Sequence, residues 1–291
     1  MALSDEQVKN LELQATAVRQ SILEMLVAAG SGHTAGPLGM ADIFTALYFH
    51  VLHHDPKNPT WENRDRLILS NGHIVPVRYA AMAHAGYFPV EELLTLRKFK
   101  SRLQGHPERH ALPGLENTSG PLGSGISQAS GVALGLRLDE SKLAFPKPHV
   151  YCCISDGELN EGNSWEAIMF AGKNRLANLT VITDRNNIQI DGMTEDVMPL
   201  EPLADKWKAF NWHVIEIDGH NFTEIINSIN QAKAITEKPT VIIAHTIPGK
   251  GIPEIEFDYK WHGVPPTREQ ADVWLKQLRT LQGKIESGHG E

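Results

Sequence analysis

Residues 150–166 read VYCCISDGELNEGNSWE. An apolar run of strand length stops at Ser155-Asp156-Gly157, and Glu158, Glu161 and Glu166 follow at once. Three further apolar runs, LTVITD, WHVIEID and PTVIIAHTI, alternate with helical stretches of about 15 residues or more, the pattern of a parallel sheet wrapped on both faces. Upstream, RLILSNGH reads as a short buried strand that delivers His73 beyond its end. These runs predict an α/β fold: a doubly wound, mainly parallel sheet with helices on both faces. Ligands then belong beyond the carboxyl ends of the strands, where Asp156 stands.

The rest of the chain fits one domain over residues 1–282, with GKIESGHGE (283–291) as a frayed tail. Ser4 opens a first helix with its apolar stripe at Val8, Leu11, Val18, Ile22 and Leu26, and Gly30 closes it. The loop GSGHTAGPLGM follows, then a second helix over 40–52. Residues 103–125 are rich in Gly and Pro without an apolar period, and a loop of that length inside a compact domain usually has a function. Helical sequence resumes in ISQASGVALGLRL, and Thr267 caps a last helix.

Composition narrows the partners. A formal charge of -8 with no basic block argues against nucleic acid or a membrane surface, and the amino terminus mixes acids and bases among its apolar residues, so a cytoplasmic location is the default expectation. Cys152 and Cys153 are the only cysteines; adjacent in a strand, they point to opposite faces and read as reduced packing residues.

Asp156 and, 30 residues on, Asn186 lie at the ends of consecutive strands, which one βαβ unit brings side by side. A carboxylate, an amide oxygen and a main-chain carbonyl are hard ligands suited to Mg²⁺ or Ca²⁺, and Gly157 would let a phosphate come close. The spacing equally allows Asp156 to cap a helix and Asn186-Asn187 to form a turn. Four histidines, His33, His73, His106 and His262, occupy glycine-flanked turns and together suggest a polar pocket able to move protons. No CxxC spacing favours zinc, and no GxGxxG turn favours a nicotinamide dehydrogenase.

SDGELNEG followed by DRNNIQIDG resembles the diphosphate-binding motif of thiamine diphosphate (ThDP) enzymes, and SGHTAGPLGMAD, RDRLILSNGH, TSGPLGSGIS and HGVP together resemble the N-terminal half of transketolase, in order over about residues 10–270. The resemblance implies that Asp156, Asn186 and the backbone oxygen of Ile188 hold Mg²⁺ (or Ca²⁺ or Mn²⁺), and that His73, Gly157 and His262 contact the diphosphate. Gly120, Leu122 and Ile190 would wall the cofactor. His33, His73, His106 and His262 would line the sugar site, and Glu161 and Glu166 would lie between two cofactor sites; as acids in the first turns of a helix they equally suit its dipole. Glu158 is expected to be solvated. The family usually has glycine where this chain has Ser155, at a modest expected conformational cost, and Pro-Gly in many members where it has Thr34-Ala35.

The resemblance also implies a second, pyrimidine-binding half that the motifs do not include. The chain is therefore expected to be the N-terminal subunit of a split transketolase, inactive alone and active with a C-terminal subunit as an α2β2 particle that moves a two-carbon ketol unit from a ketose phosphate to an aldose phosphate. A 1-deoxyxylulose-5-phosphate synthase-like enzyme, a 2-oxo acid dehydrogenase subunit and a noncatalytic scaffold paralogue are the rival readings.

Overall fold

The computed structural model describes residues 3–288. In chain order the elements are α1 (Asp5–Ala29), α2 (Ala35–Gly39), α3 (Ala41–Ala46), β1 (Arg66–Leu69), α4 (Val75–His84), α5 (Ser124–Leu138), β2 (Val150–Ser155), α6 (Gly162–Lys173), β3 (Leu179–Arg185), β4 (Ile188–Gln189), β5 (Gly192–Met193), α7 (Thr194–Val197), α8 (Leu203–Ala209), β6 (His213–Asp218), α9 (Phe222–Ala234), β7 (Thr240–His245) and α10 (Arg268–Gly288). Five strands form one sheet in the order β1-β2-β3-β7-β6, every pair parallel, and β4 and β5 make a small antiparallel pair.

Strand alternation divides the core in two. Tyr151, Cys153, Ile182 and Ile242 pack with α1, α3, α4, α9 and α10, whereas Cys152, Ile154, Val181 and Ile243 pack with α5, α6 and α8. The adjacent cysteines, both free and buried, therefore belong to separate cores on opposite faces of the sheet, as a period of two requires.

Local chemistry sets the helix ends. Ser4 and Gln7 form a reciprocal capping box at the start of α1, and Gly30 ends it in the left-handed conformation at φ 65°. Thr267 and Gln270 exchange the same pair of bonds before α10. Two expectations need correction. The second helix starts earlier than residue 40 and is broken into α2, α3 and a π-helical turn at Leu47–Val51: Pro37 fits a first turn, where its missing N–H costs nothing, and a Cβ on Gly39 would come within 2.9 Å of the carbonyl oxygen of Ile247. The proposed tail is helical through Gly288, continuing α10, in keeping with the helix-favouring Lys284 and Glu286; residues 289–291 lie outside the described residues. The helices between strands are also shorter than anticipated, 12 residues in α6 and 13 in α9.

Candidate active site

The sheet delivers its ligand-bearing turns at one edge, beyond the carboxyl ends of β1, β2, β3 and β7. β1 runs through Ser70 and Asn71 into a 3-10 turn, Gly72–Ile74, that presents His73. β2 ends at Ser155, whose hydroxyl accepts a bond from the Glu158 amide at 3.3 Å, and a second 3-10 turn, Gly157–Asn160, follows. Ser155 is the last residue of a regular strand and is not among the left-handed residues, so the expected conformational cost of losing glycine does not arise.

These turns enclose a cavity of about 280 Å³. His33, His73, His106 and His262 all line it. Gly120, Leu122 and Ile190, expected as a cofactor wall, line the cavity together with Gly157, and Asn186 and Ile188 reach it from the β3 turn. Three of the imidazoles form a cluster, with ring centroids 4.8 Å apart for His33–His73, 5.1 Å for His73–His262 and 5.5 Å for His33–His262. Thr34 helps assemble it: its hydroxyl donates to the Val264 carbonyl at 2.6 Å and ties the His33 turn to the segment bearing His262. A proline at position 34 could not make that bond.

Burial holds His33 down to about 4, with the neighbouring His262, Arg97 and His106 adding to the effect. It also holds His73 well below the ordinary imidazole range and lowers His106 and His262. In all four, burial favours the neutral imidazole. Nδ1 of His33 is buried without a hydrogen-bond partner, the kind of group a bound polar ligand satisfies.

Asp156 lies just beneath the cavity, fully buried. Its Oδ1 accepts from the Gly157 amide at 2.7 Å; its Oδ2 accepts from the Asn187 amide at 2.7 Å and from Arg185 Nη1 at 3.1 Å. A carboxylate offers about four acceptor positions, so one is left for a cation. Asn186 donates through Nδ2 to Asp184 at 2.7 Å, which fixes its amide oxygen as the free pole, and that oxygen takes the Ile188 amide at 3.0 Å with a lone pair to spare. The donor set fits a hard divalent ion. The capping reading is realised, since Asp156 caps the 3-10 turn and Asn187 makes a left-handed turn at φ 64°. Among the described residues no three His, Cys, Asp or Glu side chains group to hold a metal.

Glu158 is a correction. It is buried, not solvated: Oε1 accepts a short bond from the Ser70 hydroxyl and another from the Gly123 amide at 2.5 Å, and Oε2 accepts from the Ser155 amide at 3.3 Å. Burial pushes its carboxyl up to about 7 despite these donors. It thereby pins the start of α5 against the ends of β1 and β2. Gly123 and Gly125 make the approach possible: Gly123 is left-handed at φ 79°, and a Cβ on Gly125 would stand 2.5 Å from the Ser70 Cα. Glu161 and Glu166 do not reach the cavity; they are exposed at the start of α6, and Glu161 makes no capping bond there.

Sequence reasoning also passed over Arg185 and Asp184. Arg185 is buried and joins Asp156 to Glu195 at 2.6 Å and Glu201 at 3.0 Å. Asp184 is buried, accepts from the Thr246 hydroxyl, and is pushed up to about 7 by burial. Their place at the end of β3, directly before the candidate ligand Asn186, was the available signal.

A parallel α/β sheet with a cavity, a buried carboxylate and a histidine cluster at its carboxyl edge is the arrangement of a cofactor-binding domain. Residues 11–283 match the transketolase, thiamine diphosphate binding domain family. The chain is 44% identical over 280 residues to a 6-deoxy-6-sulfo-D-fructose transketolase subunit of Clostridium sp. (strain MSTE9), covering 96% of this chain and 98% of that one. It is 39% identical over 272 residues to a transketolase of Buchnera aphidicola subsp. Acyrthosiphon pisum (strain APS), covering 91% of this chain but only 41% of that protein. The transketolase structure from Leishmania mexicana superposes with a TM-score of 0.86 at 31% identity, over 96% of this chain and 45% of that one. The chain belongs to the transketolase family, through its thiamine diphosphate binding domain.

Proposed function

We propose that this chain is the cofactor-diphosphate half of a two-chain transketolase, paired with a separate pyrimidine-binding subunit, most simply two of each. The observation that carries the reading is the convergence of His33, His73, His106 and His262 with Gly157, Asn186 and Ile188 on one cavity. The near-complete overlap with a subunit-named relative, set against 41% of a single-chain transketolase, supports the division between chains.

In this reading Asp156, the Asn186 amide oxygen and the Ile188 carbonyl hold Mg²⁺, with Ca²⁺ or Mn²⁺ as alternatives of the same chemistry. His73, the Gly157 amide and His262 face the diphosphate, and Gly120, Leu122 and Ile190 shape the wall. When bound, ThDP supplies the electron sink for cleaving the donor's C2–C3 bond. His33 or His262, neutral and in the cluster, accepts the proton of the donor's C3 hydroxyl as that bond breaks, and His106 orients the C1 hydroxyl. Glu161 and Glu166, exposed beside Met169 and Phe170, face the other chains of the assembly.

Mixing the purified chain with a pyrimidine-half subunit, ThDP and Mg²⁺ should give ketol transfer from a ketose phosphate to an aldose phosphate. Transfer by this chain alone would overturn the two-chain reading. Asp156→Ala should abolish metal-dependent ThDP binding by the complex in calorimetry, and an unchanged affinity would refute the metal assignment.

A further inference from the structure

The carboxyl edge of the sheet carries the histidine cavity, and the opposite edge carries a larger one of about 420 Å³. It lies where α5, α6 and α9 end and β2 and β3 begin, because parallel strands all start on the same side of the sheet. The two cavities share no lining residue.

The charged lining is of one sign. Arg137, Lys147, Arg175 and Lys233 line the cavity and no described Asp or Glu does, in a chain with 35 acidic and 27 basic side chains. Part of this charge serves the fold. Arg137 and Lys233 lie in the last turns of α5 and α9, where a cation complements the helix dipole, and Arg137 Nη1 donates to the Asn174 carbonyl just past α6 at 2.6 Å. Lys147 Nζ donates to the Leu143 carbonyl at 2.5 Å. A helix end offsets only about half a charge, however, and Arg137, Arg175 and Lys233 join none of the ion pairs between described residues. The Lys233 ammonium stands 5.8 Å from the centroid of the Tyr151 ring, so its charge lies over the start of β2. Burial, and after it this charge, hold His149 on the cavity wall down to about 3.

The remaining wall is mostly apolar, with Leu136, Leu143 and Ile235. Asn178 adds a directional group: its Nδ2 donates to the Ala133 carbonyl at 2.8 Å, which fixes Oδ1 as the other pole, and Oδ1 is buried without a partner.

We propose that this cavity is a second ligand site and that it takes a nucleoside phosphate. The cations suit phosphate oxygens, with the planar Arg175 guanidinium able to hold two at once. The apolar wall suits a base, and Asn178 Oδ1 is an acceptor for an amino or hydroxyl group of the nucleoside. The site stands independently of the ketol-transfer reading, since it uses none of the residues assigned there.

Calorimetry of the full chain with ADP and, separately, with inorganic phosphate at about 0.15 M salt provides the test. ADP should bind about tenfold or more tightly than inorganic phosphate. Arg175→Gln combined with Lys233→Gln should weaken ADP binding about tenfold or more. Both side chains are exposed, so the urea midpoint of this variant should stay near that of the wild type. His73→Gln, in the other cavity, should leave the ADP affinity within about twofold. Loss of ADP binding by His73→Gln and not by the double variant would put the nucleotide among the histidines and overturn the proposal. Absence of ADP binding, or equal affinity for ADP and inorganic phosphate, would overturn it as well. Should the double variant fail to fold, Lys233→Gln alone decides: weakened ADP binding sustains the site and wild-type affinity overturns it.

Discussion

Truncating Glu158 to alanine tests how the cavity wall is held. The change leaves three donors facing a buried gap: the Gly123 amide, the Ser70 hydroxyl and the Ser155 amide. An orphaned buried donor costs about 1–3 kcal/mol. The Gly123 amide should bear the full cost, because its bond to Glu158 is short and buried. The Ser70 hydroxyl can rotate and still accepts from the Gly125 amide at 2.9 Å, and the Ser155 bond is long, so these two add less. At pH 6, below the raised carboxyl value of about 7, little relief comes from removing a buried charge. Glu158→Ala should therefore destabilise the chain by about 2–5 kcal/mol in urea denaturation. Amide exchange at Gly123 and Gly125 should accelerate, and ThDP affinity should fall because the Gly120–Leu122 wall is no longer fixed. Glu158→Gln keeps the oxygen that serves Gly123 and Ser70 and should recover most of the loss. A cost under about 1 kcal/mol with unchanged exchange at Gly123 would refute the pinning role.

His33 makes stability fall with acid. Its folded value of about 4 lies below the unfolded value of about 6.5, so the unfolded chain binds more protons between them, and stability drops from about pH 6.5 towards about pH 4 by up to about 3 kcal/mol from this group. His33→Gln should flatten that part of the pH profile in denaturant titrations, and an unaltered slope would show that His33 is not buried neutral. Gly172→Ala, normally favourable within a helix, should instead destabilise by about 1–3 kcal/mol, because the new methyl group would overlap the backbone carbonyl oxygen of Phe210; equal or greater stability in urea would show that α6 shifts freely.

The strands were legible because burial on both faces writes itself as continuous apolar sequence, and the fully buried β2 and β3 are such runs. The histidines were legible as a set: glycine-flanked turns at four places foretold a shared pocket, though none foretold ring separations near 5 Å. The acids were not legible one by one. Nothing local separates Glu158, buried, from Glu161, exposed, three residues on; the difference is made by Ser70, 88 positions away, and Gly123, 35 away. Asp156 is likewise fixed by Arg185 and Asn187 from the next strand. The charge crowded at the end of β2 therefore has several meanings. Asp156 and Glu158 face inward, where neighbouring turns supply N–H and O–H donors, and Glu161 and Glu166 are exposed. A buried acid with distant donors holds loops from different strands in one geometry, and a cofactor cavity assembled from loops that far apart in sequence needs such holds. Arg185, passed over in the sequence, belongs to the same arrangement: by joining Asp156 to Glu195 and Glu201 it couples the candidate metal ligand to the segment after β5. The electrostatics around Asp156 are thus set in part by residues outside the candidate ligand set.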